Sequence, residues 1–526
     1  MIRLRLGVVV FAVASVFLAA SAPRAAAASF VLTALRGAES QAVAIADSGQ
    51  VAGDMTVKES GGALRQHAFS WTPATGLVDL GADRGYDSRA TAVNNNGMVV
   101  GWGHYQGVEQ GFAWTRAGGT VPLGTLPGVT DVAIPRAVND SGQVVGGEGD
   151  HGFSWTRSGG MVDIGSLDES GPTAAEAVND SGQVVGRSGR YAFSWTTEGG
   201  MVNLGALPGR TGGDAHAVSD SGQVVGYSGT GGSGDPHAFS WTSSDGMVDL
   251  GALPSEHPSS DATAVNDNGV VAGSSAVGED LYPYLPGSTT GSHAFSWTAA
   301  GGMVDLQTGA YYGGATAVND AGQVVGYSQG NHGFGHQGFS WTATDGMRLL
   351  QSLPGAVWDA DAALDVNRFG QVAGWSDSAD GGHAVIWSPA NKATSGNDRL
   401  TGTSARNVIC GLGGNDTING LPANDTLFGD GCGVKAKAFD AAAGADGNDT
   451  LNGGKGNDKL YGAGGNDTLN GGPGVNTYSG GRGNDTIDAR NGRKETVDCG
   501  SGKKDVAIVD KNDKTKRCEK VKRAKK

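Results

Sequence analysis

Cysteine, basic charge and long apolar runs are all scarce in this sequence. Only four cysteines occur among 526 residues, and the first is Cys410. They show no Cys-x-x-Cys spacing, and no histidine cluster lies near them, so a zinc site is not indicated. The H-E-x-x-H motif of metalloproteases is also missing. The formal net charge of −15 disfavours nucleic acid as a partner.

The longest apolar run is too short to cross a membrane. It extends over residues 7–20, behind Arg3 and Arg5, whereas a spanning helix needs roughly 20 residues. Alanine-rich sequence with an A-x-A pattern follows and ends at Ala28, a layout typical of a cleaved secretory signal peptide. We therefore predict a signal peptide over 1–28, a secreted, extracellular or cell-surface protein and no membrane span. An uncleaved or lipidated anchor is the alternative.

A change in charge divides the remaining chain near residue 390. Residues 29–390 carry 36 acidic and 13 basic side chains, whereas 391–526 carry 17 and 22. All four cysteines lie in the second part, and an even number in an exported chain favours disulfides. The shortest loops are closed by Cys410–Cys432 and Cys499–Cys518, although the two other connectivities remain open.

A repeat fills the first part. AVNDSGQVVG occurs at 137–146 and again at 177–186, and degraded copies extend the series to eight units spaced by 40 to 53 residues. Each unit offers runs such as AVN, QVVG, AFSWT and MVDLG, which are rich in strand-forming residues and bounded by Gly, Asn, Asp or Ser. The turn glycines, expected to adopt positive φ, are Gly49, Gly97, Gly142, Gly182, Gly222, Gly269, Gly322 and Gly370. The pattern predicts an all-β fold, a β-propeller of eight four-stranded blades over 29–390.

Two details favour a closed ring. The eighth unit ends at Trp387 without an MVDLG run, while FVLTALRG at 30–37 aligns with MVNLGALPG at 201–209. The mature N-terminus is therefore predicted to supply the missing strand, which would leave few exposed sheet edges. In HAFSWT the His, Phe and Trp side chains alternate with small ones, so the large face of one blade should pack on the small face of its neighbour.

The units resemble the HAF-type extracellular repeat family, named for the His-Ala-Phe found at 67–69, 237–239 and 293–295. The resemblance covers about residues 30–388. It implies an extracellular, propeller-like protein and assigns no activity.

The loops between the second and third strands, and between blades, vary most in length and should share one face of the propeller. Variable loops on a rigid scaffold often carry recognition. The candidate ligand-binding aromatics in these loops are Tyr282, Tyr284, Tyr311, Tyr312, Phe334 and Trp358. They could stack on a sugar beside Asp280, Asp359 and Asp361, or simply pack against neighbouring loops. Carbohydrate or a cell-surface polymer is the partner class this predicts, and a catalytic role for loop carboxylates is the alternative.

A nine-residue period starts at residue 393, with GLGGNDTIN, GADGNDTLN and GGKGNDKLY among its copies, and is interrupted at 429–443. It resembles the hemolysin-type (RTX) repeat, G-G-x-G-x-D-x-U-x, which implies a Ca²⁺-binding parallel β-roll over 391–488. A flexible Gly/Asn/Asp-rich linker is the alternative. Carboxylate oxygen suits Ca²⁺, and the candidate ligands are Asp398, Asp416, Asp425, Asp449, Asp458, Asp467 and Asp485.

Successive nonads of such a roll lie on opposite sheets, so carboxylates two nonads apart should face each other. This pairs Asp449 with Asp467 and Asp467 with Asp485, and Asp398 with Asp416, whereas Asp458 faces Asn476. Sites with Asn407 or Asn476 should be weak or empty. The basic segment 489–526 is predicted to be a disulfide-closed cap or a solvated tail.

Taken as a whole, the sequence predicts a secreted calcium-binding protein, a non-enzymatic binding or cell-surface module. An exported glycosidase or lyase that uses the propeller face is the alternative.

Overall fold

The computed structural model describes residues 30–35, 39–72, 75–167, 171–230, 235–255, 257–278, 291–306, 312–329, 335–353, 355, 361–389, 399–401, 408–412, 416–420, 426–430 and 447–523. The signal-peptide prediction for 1–28 lies outside these residues. All regular elements of the described residues are β-strands.

The first part folds into eight units of four antiparallel strands. Strand β1 (Phe30–Ala34) comes first and is followed by unit one, with β2 (Ser40–Ile45), β3 (Val51–Lys58), β4 (Leu64–Thr72) and β5 (Gly76–Asp79). Unit two contains β6 (Ser88–Val93), β7 (Val99–Tyr105), β8 (Val108–Thr115) and β9 (Gly119–Pro122), and unit three contains β10 (Ala133–Val138), β11 (Val144–Glu148), β12 (His151–Thr156) and β13 (Gly160–Asp163). Unit four contains β14 (Thr173–Val178), β15 (Val184–Ser188), β16 (Tyr191–Thr196) and β17 (Gly200–Asn203).

Unit five contains β18 (Gly212–Val218), β19 (Val224–Gly229), β20 (His237–Thr242) and β21 (Gly246–Gly251), and unit six contains β22 (Ser260–Val265), β23 (Val271–Val277), β24 (Gly291–Thr298) and β25 (Gly302–Asp305). Unit seven contains β26 (Tyr312–Val318), β27 (Val324–Gln329), β28 (Gln337–Thr342) and β29 (Gly346–Leu349). A single parallel bridge, Ser292 to Tyr312, joins units six and seven. The eighth unit contains β30 (Asp361–Val366), β31 (Val372–Ser378) and β32 (Gly381–Pro389), with β1 added to its edge.

This arrangement confirms the predicted propeller. The first strands of consecutive blades lie against each other around the axis, and β2 of blade one lies against β30 of blade eight. Strand β1 pairs antiparallel with β32, with Phe30 opposite Pro389 and Ala34 opposite Val385. The missing strand is thus supplied by the N-terminal segment, and the ring closes. The eight repeat glycines all adopt positive φ, between 75° and 87°, as expected from the turn sequence.

Large side chains of one blade pack on small side chains of the preceding one. Phe112 of blade two lies in a cluster with Ala52 and Ala68 of blade one, and Phe69 lies with Ala373 and Ala384 of blade eight. Burial of the phenylalanines is complete at seven equivalent positions: Phe69, Phe112, Phe153, Phe193, Phe239, Phe295 and Phe339. The alternation within HAFSWT therefore supplies the interface between blades.

The repeated Asn-Asp of AVNDSG links neighbouring blades. The Asn179 side-chain Nδ2 donates to the Ser219 carbonyl at 2.9 Å, and the Asp180 amide donates to Asp220 Oδ1 at 2.8 Å. The same asparagine bond recurs from Asn94, Asn139, Asn266, Asn319 and Asn367. Burial, with neighbouring aspartates adding to it, raises the pKa of Asp180 above its ordinary value. The repeated Asn and Asp residues therefore form a ring of hydrogen bonds around the propeller axis.

We expect Asn179→Ala to lower the free energy of unfolding by about 2 kcal/mol, because a buried group left unpaired costs about 1–3 kcal/mol. Asn179 is buried, and its Oδ1 also accepts the Gln183 N–H at 2.9 Å. Urea denaturation monitored by tryptophan fluorescence measures the change. The exposed Val202 of the same blade, changed to alanine, is the control and should cost less than about 0.5 kcal/mol. Equal effects of the two changes would contradict a stabilising ring.

The second part is a parallel β-solenoid of two sheets. Its strands are β33 (Arg399–Thr401), β34 (Val408–Leu412), β35 (Thr417–Asn419), β36 (Thr426–Asp430), β37 (Thr450–Asn452), β38 (Lys459–Gly464), β39 (Thr468–Asn470), β40 (Thr477–Arg482), β41 (Thr486–Ala489), β42 (Thr496–Ser501), β43 (Val506–Val509), β44 (Lys514–Lys516) and β45 (Lys520–Arg523). Odd-numbered strands form the seven-stranded sheet and even-numbered strands the six-stranded sheet.

The apolar residues of successive nonads form one thin core between the two sheets. Those of the repeats include Leu400, Ile418, Leu427, Leu451, Leu460, Leu469, Tyr478 and Ile487, as the nonad pattern predicts. The sheets do not end at residue 488, where the sequence period ends. Val497, Ala507 and Val509 continue the same core, so part of the basic segment forms further turns of the roll.

Candidate ligand face and calcium-binding edge

The propeller carries a cleft at the loops where ligand binding was predicted. The cleft has a volume of about 510 Å³ and lies where blades five, six and seven meet; its lining includes Asp235, His257, Asp261, Ser274, Ser292 and Tyr312. Tyr312 begins β26 and is 39% exposed, so its ring is available to a ligand. Tyr282, Tyr284, Tyr311, Phe334 and Trp358, the other predicted aromatics, lie outside the described residues.

A group of charged side chains extends from Asp261, which lines this cleft, across blades five, four and three, and the sequence analysis missed it. The first strand of each blade has a β-bulge at the same position, for example between Ala175 and Ala177 in β14 and between Ala215 and Ala217 in β18. Bulges re-aim a side chain. We call the bulge cluster the set Arg136, Glu176, Arg187, Asp214, His216 and Asp261. A blade-by-blade alignment would have revealed it, because Thr91, Thr263 and Thr316 occupy the position of Glu176 and His216 in other blades.

Ion pairs inside the bulge cluster join neighbouring blades. His216 Nδ1 lies 3.2 Å from Asp261 Oδ1, and Arg187 Nε lies 3.3 Å from Asp214 Oδ2. Arg136 pairs with Glu176. Burial raises the pKa of Asp214, and the nearby Glu176 and Asp261 add to the shift against the effect of His216 and Arg187. Burial alone would lower the pKa of His216, but the hydrogen bond and charge of Asp261 outweigh it, and the net shift is upward.

The histidines of the third strands pair with an aspartate of the same blade. His67 Nδ1 lies 3.0 Å from Asp79, twelve residues later on the fourth strand, and the equivalent pairs are His151–Asp163, His237–Asp249 and His293–Asp305. Each pair links the third and fourth strands of one blade.

In the roll, carboxylates stack along one edge. We call the first edge the residues that precede strands of the seven-stranded sheet: Asp416, Asp449, Asp467, Asp485, Asp505 and Glu519. The Asp449 amide donates to Asp467 Oδ1 at 2.8 Å, and the Asp467 amide donates to Asp485 Oδ1 at 2.9 Å. We call each such hydrogen bond, from the amide of one edge residue to the side chain of the next, a rung. The alternate-nonad pairing expected from the period is therefore observed at both rungs.

Asp416 has a partner that the sequence analysis did not name. Its amide donates to Asp449 Oδ1 at 2.7 Å, and β35 pairs with β37, so the rungs continue across the interruption in the repeat. The predicted partner Asp398, and also Asp425, lie outside the described residues.

The second edge consists of the residues that precede strands of the six-stranded sheet: Asp458, Asn476, Glu495 and Asp513. The Asp458 amide donates to Asn476 Oδ1 at 2.8 Å, as the sequence pairing predicts. An asparagine here replaces a charged carboxylate ligand with a neutral amide, and weaker cation binding at this position stays a prediction.

The first edge fits a hard cation. Asp416, Asp449, Asp467 and Asp485 are each at most 1% exposed. A Cβ added to Gly462 would collide with Asp467 Oδ2 and with the Gly480 carbonyl oxygen, so carboxylate and carbonyl oxygens converge where only glycine fits. Burial, with Asp505 adding to it, raises the pKa of Asp485 to about 7 against the hydrogen bond from the Asp467 amide. No three His, Cys, Asp or Glu side chains of the described residues cluster as a metal site. Backbone carbonyl oxygens, which Ca²⁺ also accepts as ligands, converge with these carboxylates.

Comparison with family models agrees with this geometry. The model of the RTX calcium-binding nonapeptide repeat matches residues 393–431, 443–478 and 470–493. RTX nonapeptide repeats bind calcium. The RTX region of this chain is therefore a calcium-binding module, and such repeats are typical of secreted proteins.

One of the two predicted disulfides lies beside the RTX turns and is confirmed. Cys499, which is fully buried, is bonded to Cys518. The prediction for Cys410 and Cys432 concerns side chains outside the described residues.

Solved structures with related folds resemble the chain only weakly. A streptogramin B lyase is 11% identical, with a TM-score of 0.35 over 61% of this chain and 98% of that chain. A virginiamycin B lyase from Staphylococcus aureus is 11% identical, with a TM-score of 0.36 over 68% and 98%. One of two prolyl endopeptidases is also 11% identical, with a TM-score of 0.42 over 71% and 57%. Comparison with curated proteins finds no match. Within the described residues, no helix has the length and hydropathy needed to cross a bilayer.

Proposed function

We propose that the chain is an exported binding protein: its RTX roll is stabilised by calcium, and its propeller binds carbohydrate or a cell-surface polymer without converting it. Export is supported by the signal-like residues 1–28 and by the disulfide. Membership of the propeller units in the HAF-type repeat family is part of this proposal. Mass spectrometry of the secreted protein should find an N-terminus at Ser29, and an intact Met1 in the medium would contradict export by cleavage.

The cleft around Tyr312 is the observation that carries the binding role. It combines an exposed aromatic ring with the hydroxyls of Ser274 and Ser292 and the acids Asp235 and Asp261. Sugars present both apolar C–H faces, which stack on aromatic rings, and hydroxyl groups, which need donors and acceptors. The cleft lies between variable loops on a rigid ring, where recognition is commonly placed.

We expect Tyr312→Ala to weaken glycan binding by roughly 2- to 12-fold, the loss that corresponds to about 0.5–1.5 kcal/mol of aromatic contact. A glycan array identifies the ligand, and calorimetry then compares the variant with the native protein. The control is Val202→Ala, which removes exposed apolar surface from blade four, away from the cleft. Unchanged affinity for every glycan bound would show that Tyr312 and its cleft are not the binding site.

An exported glycosidase or lyase is the second candidate, and the bulge cluster favours it. Glycoside cleavage commonly uses two carboxyl groups held in different protonation states. Glu176, Asp214 and Asp261 lie around His216, and a raised carboxyl pKa, here that of Asp214, is found at many catalytic sites. Residues 326–330 read G-Y-S-Q-G, the G-x-S-x-G spacing of a nucleophile elbow. Ser328 is nevertheless buried within strand β27 and does not lie on a turn. New reducing ends or unsaturated products from a bound glycan would establish the enzyme, and binding without turnover would establish the module.

A further inference from the structure

The rungs of the first edge continue beyond the RTX repeats. The family match ends at residue 493. The Asp485 amide nevertheless donates to Asp505 Oδ1 at 2.8 Å, and the Asp505 amide donates to Glu519 Oε2 at 2.9 Å. The hydrogen bond that joins Asp449 to Asp467 within the repeats is thus repeated where the sequence period has been lost.

The oxygens that converge within the repeats converge once more beyond them. A Cβ on Gly462 would meet Asp467 Oδ2 and the carbonyl oxygen of Gly480, which lies on the neighbouring strand β40. A Cβ on Gly480 would meet Asp485 Oδ2 and the carbonyl oxygen of Cys499. Cys499 therefore presents its carbonyl where glycine does so in the preceding turn.

Asp485 and Asp505, the two carboxylates that face each other here, have no counter-charge among the described residues. Asp485 and Asp505 are both 0% exposed. The Oδ2 atom of each is buried and has no hydrogen-bond partner among the described residues. Within those residues no lysine or arginine forms an ion pair with either carboxylate. A buried carboxylate needs a compensating charge, and carboxylate with carbonyl oxygen is the ligand type of Ca²⁺.

The corresponding level of the second edge is filled by hydrogen bonds. A Cβ on Gly471 would meet Tyr478 Oη and Asn476 Nδ2, which stand where the carboxylate oxygen stands at the other sites. Glu495 Oε1 accepts from the Asn476 amide at 2.6 Å, and Glu495 Oε2 accepts from Tyr478 Oη at 3.3 Å. Nothing at this level requires a cation.

We infer that a calcium ion binds between the last RTX turn and the first turn beyond the repeats, held by Asp485, Asp505 and the carbonyl oxygen of Cys499. This inference rests on calcium binding by the RTX roll. It adds a site that combines the last repeat with a non-repeat turn, and it places none at Glu495.

Counting bound ions tests the inference. Native mass spectrometry of the full chain in calcium should show one ion fewer for Asp505→Asn than for the native protein. Asparagine keeps the Oδ1 that accepts the Asp485 N–H and removes only the charge. The matched control is Asp513→Asn on the second edge, whose Oδ1 accepts the Glu495 amide at 2.9 Å; it should bind as many ions as the native protein.

The possible failures are distinguishable. An unchanged count in Asp505→Asn would overturn the proposed site, and so would an equal loss in Asp513→Asn, which would indicate general damage to the last turns. A native protein that binds no calcium at all would instead overturn calcium binding by the roll itself. Asp467→Asn, within the repeats, should lose at least one ion, and its loss establishes that the method detects a missing site.

Discussion

Chelating calcium from the full chain should unfold residues 447–523 and leave the propeller folded. Five carboxylates of the first edge, Asp416, Asp449, Asp467, Asp485 and Asp505, are each at most 1% exposed and lie at successive turns of one edge. Without a cation, buried like charges destabilise the roll. Its core is one thin layer between two sheets, too little apolar surface to offset the ordering entropy of a glycine-rich chain. Binding energy then serves as folding energy.

Hydrogen exchange with and without a chelator measures this effect segment by segment. Amides of β37 to β43 should exchange at least roughly 100-fold faster without calcium, whereas those of β3 and β7 should not change, because stability is local to each folding unit. Adding calcium back should restore protection. Retained protection in the roll after chelation would show that the metal is not needed for the fold.

Two single substitutions test the difference between the two edges. The Asp467 amide donates to the charged Asp485 and Asp467 Oδ1 accepts from the Asp449 amide, whereas the Asp458 amide donates to the neutral Asn476. Asp467→Ala should therefore raise the calcium concentration required for folding more than Asp458→Ala. An equal shift for the two variants would contradict the difference between the edges.

Deleting Phe30–Leu35 should lower the melting temperature of the propeller by roughly 10 °C or more. The deletion removes strand β1 from β32 and leaves blade eight with an open edge. It also removes Leu35, which is 0% exposed and packs in a cluster with Phe69 and Ala384. Loss of a buried leucine alone costs about 2–5 kcal/mol, and each kcal/mol lowers the melting temperature of a large domain by about 2–4 °C.

Calorimetry of the deletion variant gives the comparison. The control is a deletion of six residues, 281–286, from the connection between β23 and β24. It shortens the chain equally and leaves the pairing of β1 with β32 in place. Equal melting temperatures for the two deletions would show that ring closure by β1 contributes nothing.

The blades and the rungs could be predicted from sequence because each depends on a local period. Gly142 and Gly182 occupy the same position of an identical turn sequence, and both adopt positive φ. Asp449 and Asp467 are 18 residues apart, two nonads, which places them on the same edge. Because the units repeat, the structure predicted for one unit can be checked against the sequence of the others.

Departures from the period were not predictable in the same way. Asp505 lies 20 residues after Asp485, and Glu519 lies 14 after Asp505, so no nonad register leads to them. The roll continues there because parallel pairing and a small apolar core need only Val497, Ala507 and Val509 to face inward. The bulge cluster was hidden for the opposite reason, since Glu176 and His216 are exceptions within a strand that otherwise repeats.

The closure of the ring has a consequence for how the propeller can be attached to other chains. Phe30 and Pro389 are directly opposite each other on the outer strands of blade eight. The chain therefore enters and leaves the propeller at a single point on its rim, as neighbouring termini do in domains that tolerate insertion. Transplanting residues 30–389 into an exposed loop of an unrelated host would require no long connectors.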